Sequence, residues 1–122
     1  MLPPNRDLAR RRPVWAAWSE LYLDTEPTAA TLDAVARALA ASPYAVAELA
    51  AILLDEVHPC LVINLLVPAG VWSGFDAAQL EARILRRARA RWRWPSTAWP
   101  LRRTMRRLSD PLLARVARLR AP

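Results

Sequence analysis

The sequence predicts an all-α fold, a single compact bundle of about five or six helices with a basic amphipathic C-terminal segment. Three observations carry that reading. Apolar residues recur at gaps of three and four along most of the chain and nowhere alternate as a strand requires. The apolar fraction is 54%, much of it alanine, a composition that favours helix. Only two glycines occur in 122 residues, and a chain of that length holds one modest core.

The elements follow in order. Residues 1–12 carry four arginines and no apolar run, so they read as a mobile basic arm and not as a secretory signal. The helical domain is expected over residues 13–94. Pro13 suits a first helical turn, and Val14, Trp18 and Leu21 then recur at helical spacing beside Trp15 and Tyr22. Asp24 to Pro27 reads as a turn. A second helix is expected from about Thr28 or Thr31 to Ala41, with Leu32, Val35, Ala36, Leu39 and Ala40 as its apolar stripe. Asp33 and Arg37 stand four apart on its other face, where they can pair.

Ser42 followed by Pro43 reads as the next helix start, a hydroxyl cap and then a residue needing no N–H. From Val46 to Val57 apolar residues cover more than half the helix surface, which places this helix centrally. At 100° per residue Glu56 falls between Ile52 and Leu49, inside the apolar arc, while Glu48 and Asp55 face water. Pro59 kinks this helix or begins a short one through Leu66. Residues 57–75 form a window without formal charge, but Pro59, Asn64, Pro68, Gly70 and Gly74 break it, so the window reads as buried core and not as a membrane span.

Pro68 to Gly74 reads as a loop. Asp76 then caps a helix, with Gln79 three residues on and Phe75 and Leu80 at the staple positions. That helix runs through Leu80, Ile84 and Leu85 into Arg86-Arg-Ala-Arg-Ala-Arg-Trp-Arg-Trp and stops at Pro95. Residues 95–122 form the Arg-rich amphipathic segment, with Leu101, Met105, Leu108, Leu112, Val116 and Leu119 as its stripe and a restart or kink expected at Asp110-Pro111. This segment is expected to dock, with Leu101, Met105 and Leu108 inward and Arg102, Arg106 and Arg107 mostly exposed.

Several pieces resemble a family of short bacterial proteins of unknown function: Leu23-Asp-Thr-Glu26, Ser42-Pro-Tyr44, Glu56-Val57 followed by Pro59, Asn64-Leu65, and Gly70 through Trp72 to Gly74-Phe75. The resemblance covers residues 13–85. It implies no reaction, ligand or cofactor.

Charge is distributed unevenly. Residues 1–82 hold ten carboxylates and five arginines, and residues 83–122 hold thirteen arginines and one carboxylate. Such asymmetry describes partners and internal docking more than fold. All eighteen cations are arginine, the better residue for carboxylate, phosphate and aromatic contacts. Arg86, Arg87, Arg89, Arg91, Arg93, Trp92, Trp94, Arg102, Arg103, Arg106 and Arg107 are therefore the candidate interaction residues. Arginines interleaved with tryptophan suit nucleic acid, a membrane surface or an acidic protein. The plainer reading is a solvated face paired with the acidic body.

Glu56, Asn64 and Trp72 are the candidate buried polar residues. A carboxylate inside an apolar arc needs a donor, here expected from the indole of Trp18 or Trp72, the Asn64 amide, or a C-terminal arginine. His58 and Cys60 form the only nucleophile–base pair, but residues two apart on a helix do not face each other, so a buried thiol beside a boundary histidine is expected. One histidine and one cysteine do not make a metal site, and two glycines cannot make a phosphate-cradling loop. No catalytic, cofactor or metal site is expected, and the single cysteine points to the cytoplasm. The expected function is non-enzymatic macromolecular binding, foremost to a protein, as an adaptor, regulator or neutralising partner. A nucleic-acid-binding module using the Arg/Trp-rich third is the alternative.

Overall fold

The computed structural model describes residues 1–23, 26–66, 77–90 and 100–122, with the backbone alone for 63–66, and every regular element among them is helical. A 3-10 turn over Pro4–Arg6 leads into α1 (Leu8–Leu23), α2 (Ala29–Ala41) and α3 (Val46–Ala51). A π turn over Ile52–Val57 joins α3 without a break to α4 (His58–Leu66), and α5 (Ala77–Arg89) and α6 (Arg102–Arg120) complete the bundle. The expected Asp76 cap, the Phe75–Leu80 staple, the Asp24–Pro27 turn at its first two residues, and Trp72, Arg91, Trp92, Arg93, Trp94 and the Asn64 side chain lie outside the described residues.

The run from α3 through the π turn to α4 forms the core of the molecule, as its wide apolar arc requires. Leu49, Ile52, Leu53, Leu54, Val57 and Leu61 are all buried. Burying each such side chain contributes about 1.5–3 kcal/mol. Helix α1 packs against α2, the π turn and α4, while α6 packs against α2 and α3, and α5 against α4 and the π turn.

Pro59 is the second residue of α4, the short helix expected through Leu66, and the run continues across it. The backbone widens into a π turn just before it, so that the N–H of His58 bonds the carbonyl of Leu53, five residues back. In an α pattern the Asp55 carbonyl would await the N–H of residue 59, which proline lacks. The carbonyls of Leu54 and Asp55 are instead met from outside the run, by Arg102 Nη1 at 3.3 Å and Arg87 Nη1 at 3.0 Å.

Helix boundaries correct two local expectations. Ser42 does not start α3; it ends α2, its N–H and hydroxyl both bonding the Leu39 carbonyl. Helix α3 begins after Ala45, whose N–H is met at 2.9 Å by the Glu48 carboxylate. Helix α1 begins at Leu8, so Pro13 lies inside it and not at its first turn. Thr28 caps α2, which starts within the expected range, its hydroxyl accepting from the N–H of Thr31.

The C-terminal segment docks, but in a rotated phase. Its buried residues are Met105, Ser109, Leu112, Leu113 and Val116, while Leu101, Leu108 and Leu119 are exposed, Leu108 at 56%. The expected inward placement of Leu101 and Leu108 is therefore corrected; only Met105 of the three is buried. A stripe of gaps 4, 3 and 4 has two adjacent edges that compete for the interior, and here Leu113 and Ser109 lie on the winning one. The helix also runs unbroken through Pro111.

Truncation separates the two phases. Met105→Ala should cost about 2–5 kcal/mol, a core cavity, and Leu108→Ala within about 0.5 kcal/mol, a surface change. Urea unfolding of the two variants measures the difference, and equal costs would contradict this docking.

Candidate functional site

Glu56 is the centre of the best-built polar cluster, and its partners come from an unexpected direction. Both Arg11 Nε and Nη2 donate to its carboxylate, at 3.1 and 2.9 Å, and the Trp15 indole adds a third donor at 2.9 Å. Glu56 is 13% exposed and Arg11 only 1%. Arg11 Nη1 also donates to Asp7 at 3.0 Å and to the Tyr44 hydroxyl at 3.3 Å, and that hydroxyl donates to Asp7. The guanidinium carbon sits 5.3 Å from the Tyr44 ring centroid, as a cation–π contact requires.

Residues 7–12 are thus not an arm: Asp7 is buried and Arg11 is the charge that the central helix needs. The Trp18 indole bonds the Leu49 carbonyl instead, and Glu56 takes its donors from Arg11 and Trp15 of α1. The spacing of Asp7, Arg11 and Trp15 at four-residue intervals on one helix face carried this signal.

A second chain of bonds runs through the single histidine. His58 is fully buried, not at a boundary. Its Nε2 bonds the Pro100 carbonyl at 2.8 Å and its Nδ1 the Tyr22 hydroxyl at 2.7 Å. A carbonyl only accepts, so Nε2 carries the proton and Tyr22 donates to Nδ1. Burial, with the nearby Arg102 charge, lowers the His58 pKa against the opposing pull of the Pro100 carbonyl. Burial likewise raises the Tyr22 hydroxyl and pushes the Cys60 thiol up to about 11. Such a thiol is a poor nucleophile near neutrality.

The arginines divide into two sets. Arg87 and Arg102 serve the π turn, and Arg102 also pairs with Asp55 at 3.3 Å, so its side chain is half-buried where exposure was expected. Arg115 pairs with Asp33 at 3.1 Å, the carboxylate that also holds Arg37. Arg120 caps the end of α2 through the carbonyls of Leu39, Ala40 and Ser42, as a cation at a helix C-terminus should. Arg103, Arg106, Arg107 and Arg118 are exposed and make no ion pair or hydrogen bond within the described residues. On α5, Arg86 and Arg89 are exposed, Arg89 bonding the Leu85 carbonyl of its own helix.

One further concavity, about 400 Å³, lies between α1 and α5, floored by Trp15, Ala16 and Leu80 and bordered by the Arg12–Glu81 ion pair. Among the described residues no group of three His, Cys, Asp or Glu side chains is placed to hold a metal ion, and no helix is long and apolar enough to cross a membrane.

The two networks make distinct predictions. Arg11→Met leaves Glu56 and Asp7 without their shared cation and should destabilise by about 3 kcal/mol, whereas the pair Arg11→Met with Glu56→Leu should cost clearly less than the two single changes together. Denaturant unfolding of the three variants checks this, and additive costs would show that the ion pair is not the unit. For His58, the unfolded imidazole takes a proton near its ordinary 6.5 while the folded one resists to lower pH. Stability is therefore full above about pH 6.5 and falls as pH drops below it. Since this is the only histidine, unfolding of His58→Gln between pH 7.5 and 5 should lack that component; identical pH slopes would refute it.

The family described as a domain of unknown function, DUF7079, matches residues 9–118. The match begins within α1 and includes nearly all of α6, so it takes in the Arg-rich third that the resemblance over residues 13–85 left out. No curated protein and no solved structure matches the chain.

Proposed function

From the premise that the chain belongs to this family of unknown function, we propose that it is a non-enzymatic binding protein whose docked α6 presents a fixed basic face to a protein partner. One observation carries the reading. Docking consumes Arg102, Arg115 and Arg120 in bonds to the body, yet Arg103, Arg107 and Arg118 point away from it on one rigid helix. A tethered, ordered row of guanidiniums loses little entropy when it meets a complementary surface. Arginine is also enriched at interface centres. Adaptor, regulatory and neutralising roles all fit such a face, and a single free thiol supports a cytoplasmic setting. Nucleic acid is the competing partner, because the same row would neutralise phosphates.

The test compares wild type with the variant Arg103→Glu, Arg107→Glu, Arg118→Glu. Both are recovered from cells at native expression level, with nuclease treatment, and both are titrated with a 20-base-pair duplex at low and physiological salt. The reading expects a stoichiometric protein to stay with the wild type and be lost from the variant, with thermal stability unchanged. It fails if nothing is retained after nuclease, or if the wild type binds duplex at physiological salt with affinity that falls steeply as salt rises.

A further inference from the structure

The leucines that α6 leaves outside are placed as regularly as its arginines. Leu108 and Leu119 are 56% and 48% exposed. They are eleven residues apart, three helical turns, and so fall within about 20° of each other on the helix and about 16 Å apart along it. Leu101, also exposed, precedes the same helix. Its backbone is left-handed, with φ 62°, a conformation unfavourable for a non-glycine residue. The His58 bond to Pro100 and the Arg102 bonds to the π turn hold the backbone on either side of it.

Cations border this leucine row on its outer side. Arg103, Arg107 and Arg118 fall within about 60° of one another, roughly 110° round the helix from the leucines. Arg115 leaves the helix between that row and the leucines and reaches Asp33 of α2, beside Arg37. One carboxylate thus serves two guanidiniums there. The surface is a row of exposed leucines on α6 with a positive margin along its outer side.

That pattern selects among partners. Nucleic acid would use the arginines and leave the leucines wet. A flat bilayer would meet the crest of α6, which is arginine, before the leucines on its flank. A helix with one apolar stripe and carboxylates along one side of it satisfies leucines and arginines together. We propose that the partner of this protein docks through an acidic amphipathic helix laid along α6, its apolar stripe on Leu108 and Leu119 and its carboxylates on Arg103, Arg107 and Arg118. The inference rests on the protein-binding reading above and names the chemistry of that partner.

The probes are a synthetic peptide of about 25 residues, with leucines in one helical stripe and glutamates along one flank of it, and a scrambled peptide of identical composition. Calorimetry or anisotropy should show the patterned peptide binding wild type at least tenfold more tightly than the scrambled one. Leu108→Asp with Leu119→Asp should remove that preference without lowering the melting temperature, and the triple arginine-to-glutamate variant should weaken both peptides. Equal binding of the two peptides overturns the proposal, as does a leucine variant that keeps the preference. Tighter binding of a 20-base-pair duplex or of anionic phosphatidylglycerol vesicles than of the patterned peptide overturns it too. In the recovery experiment above, a partner lost with the arginine variant but kept by the leucine variant would end this proposal and leave protein binding standing. Absence of any partner from all three proteins would remove both.

Discussion

The bidentate pair between Arg11 and Glu56 is the constraint on which the rest of the molecule depends. A carboxylate on the apolar arc of the central helix would be intolerable alone, because removing it from water costs several kcal/mol that only close donors repay. Arg11 repays it only if α1 starts early enough and lies at the one angle that also brings Trp15 to the same oxygen. Asp7 and Tyr44 then complete the guanidinium's hydrogen bonds, so the cluster ties together residues 7, 11, 15, 44 and 56. With α1 placed in this way, Trp18 meets the Leu49 carbonyl and Tyr22 meets His58.

From His58 the constraint passes to the C-terminal third. The imidazole is held neutral by burial and bonded on both nitrogens, and its second bond is to the residue just before Leu101. The π turn adds another tie. By redirecting the His58 N–H to Leu53, it frees the Leu54 carbonyl, and Pro59 withholds an N–H from that of Asp55. Arginines from α5 and α6 take those two acceptors. A backbone irregularity in the central helix thereby specifies where two basic helices sit. Hydrogen bonds from a charged donor to a carbonyl are among the stronger ones available for such a task.

The charge split acquires a structural meaning from these ties. The basic third is neither a free arm nor a fully neutralised partner of the acidic body. Surface ion pairs contribute at most about 1 kcal/mol each, so docking rests on burial of Met105, Leu112, Leu113 and Val116, and the ion pairs orient what burial holds. A helix can bury only one side in this way. The other side keeps its arginines, and that remainder supports the binding role proposed for the chain.

Helix class and the polar demand of Glu56 were legible in the sequence alone, because each follows from local spacing: an apolar period near 3.6 and a carboxylate on the wrong side of a wheel. The docking of the basic third followed as well, since its apolar stripe had to go somewhere. The identity of Glu56's partner, the burial of His58 and the rotation that buries Ser109 and Leu113 but exposes Leu108 were decided only by the tertiary structure. Those outcomes depend on which distant donor arrives first at an acceptor and which of two neighbouring helix edges meets the core. Local periodicity is nearly degenerate for both, and contacts between residues forty or more positions apart break the tie.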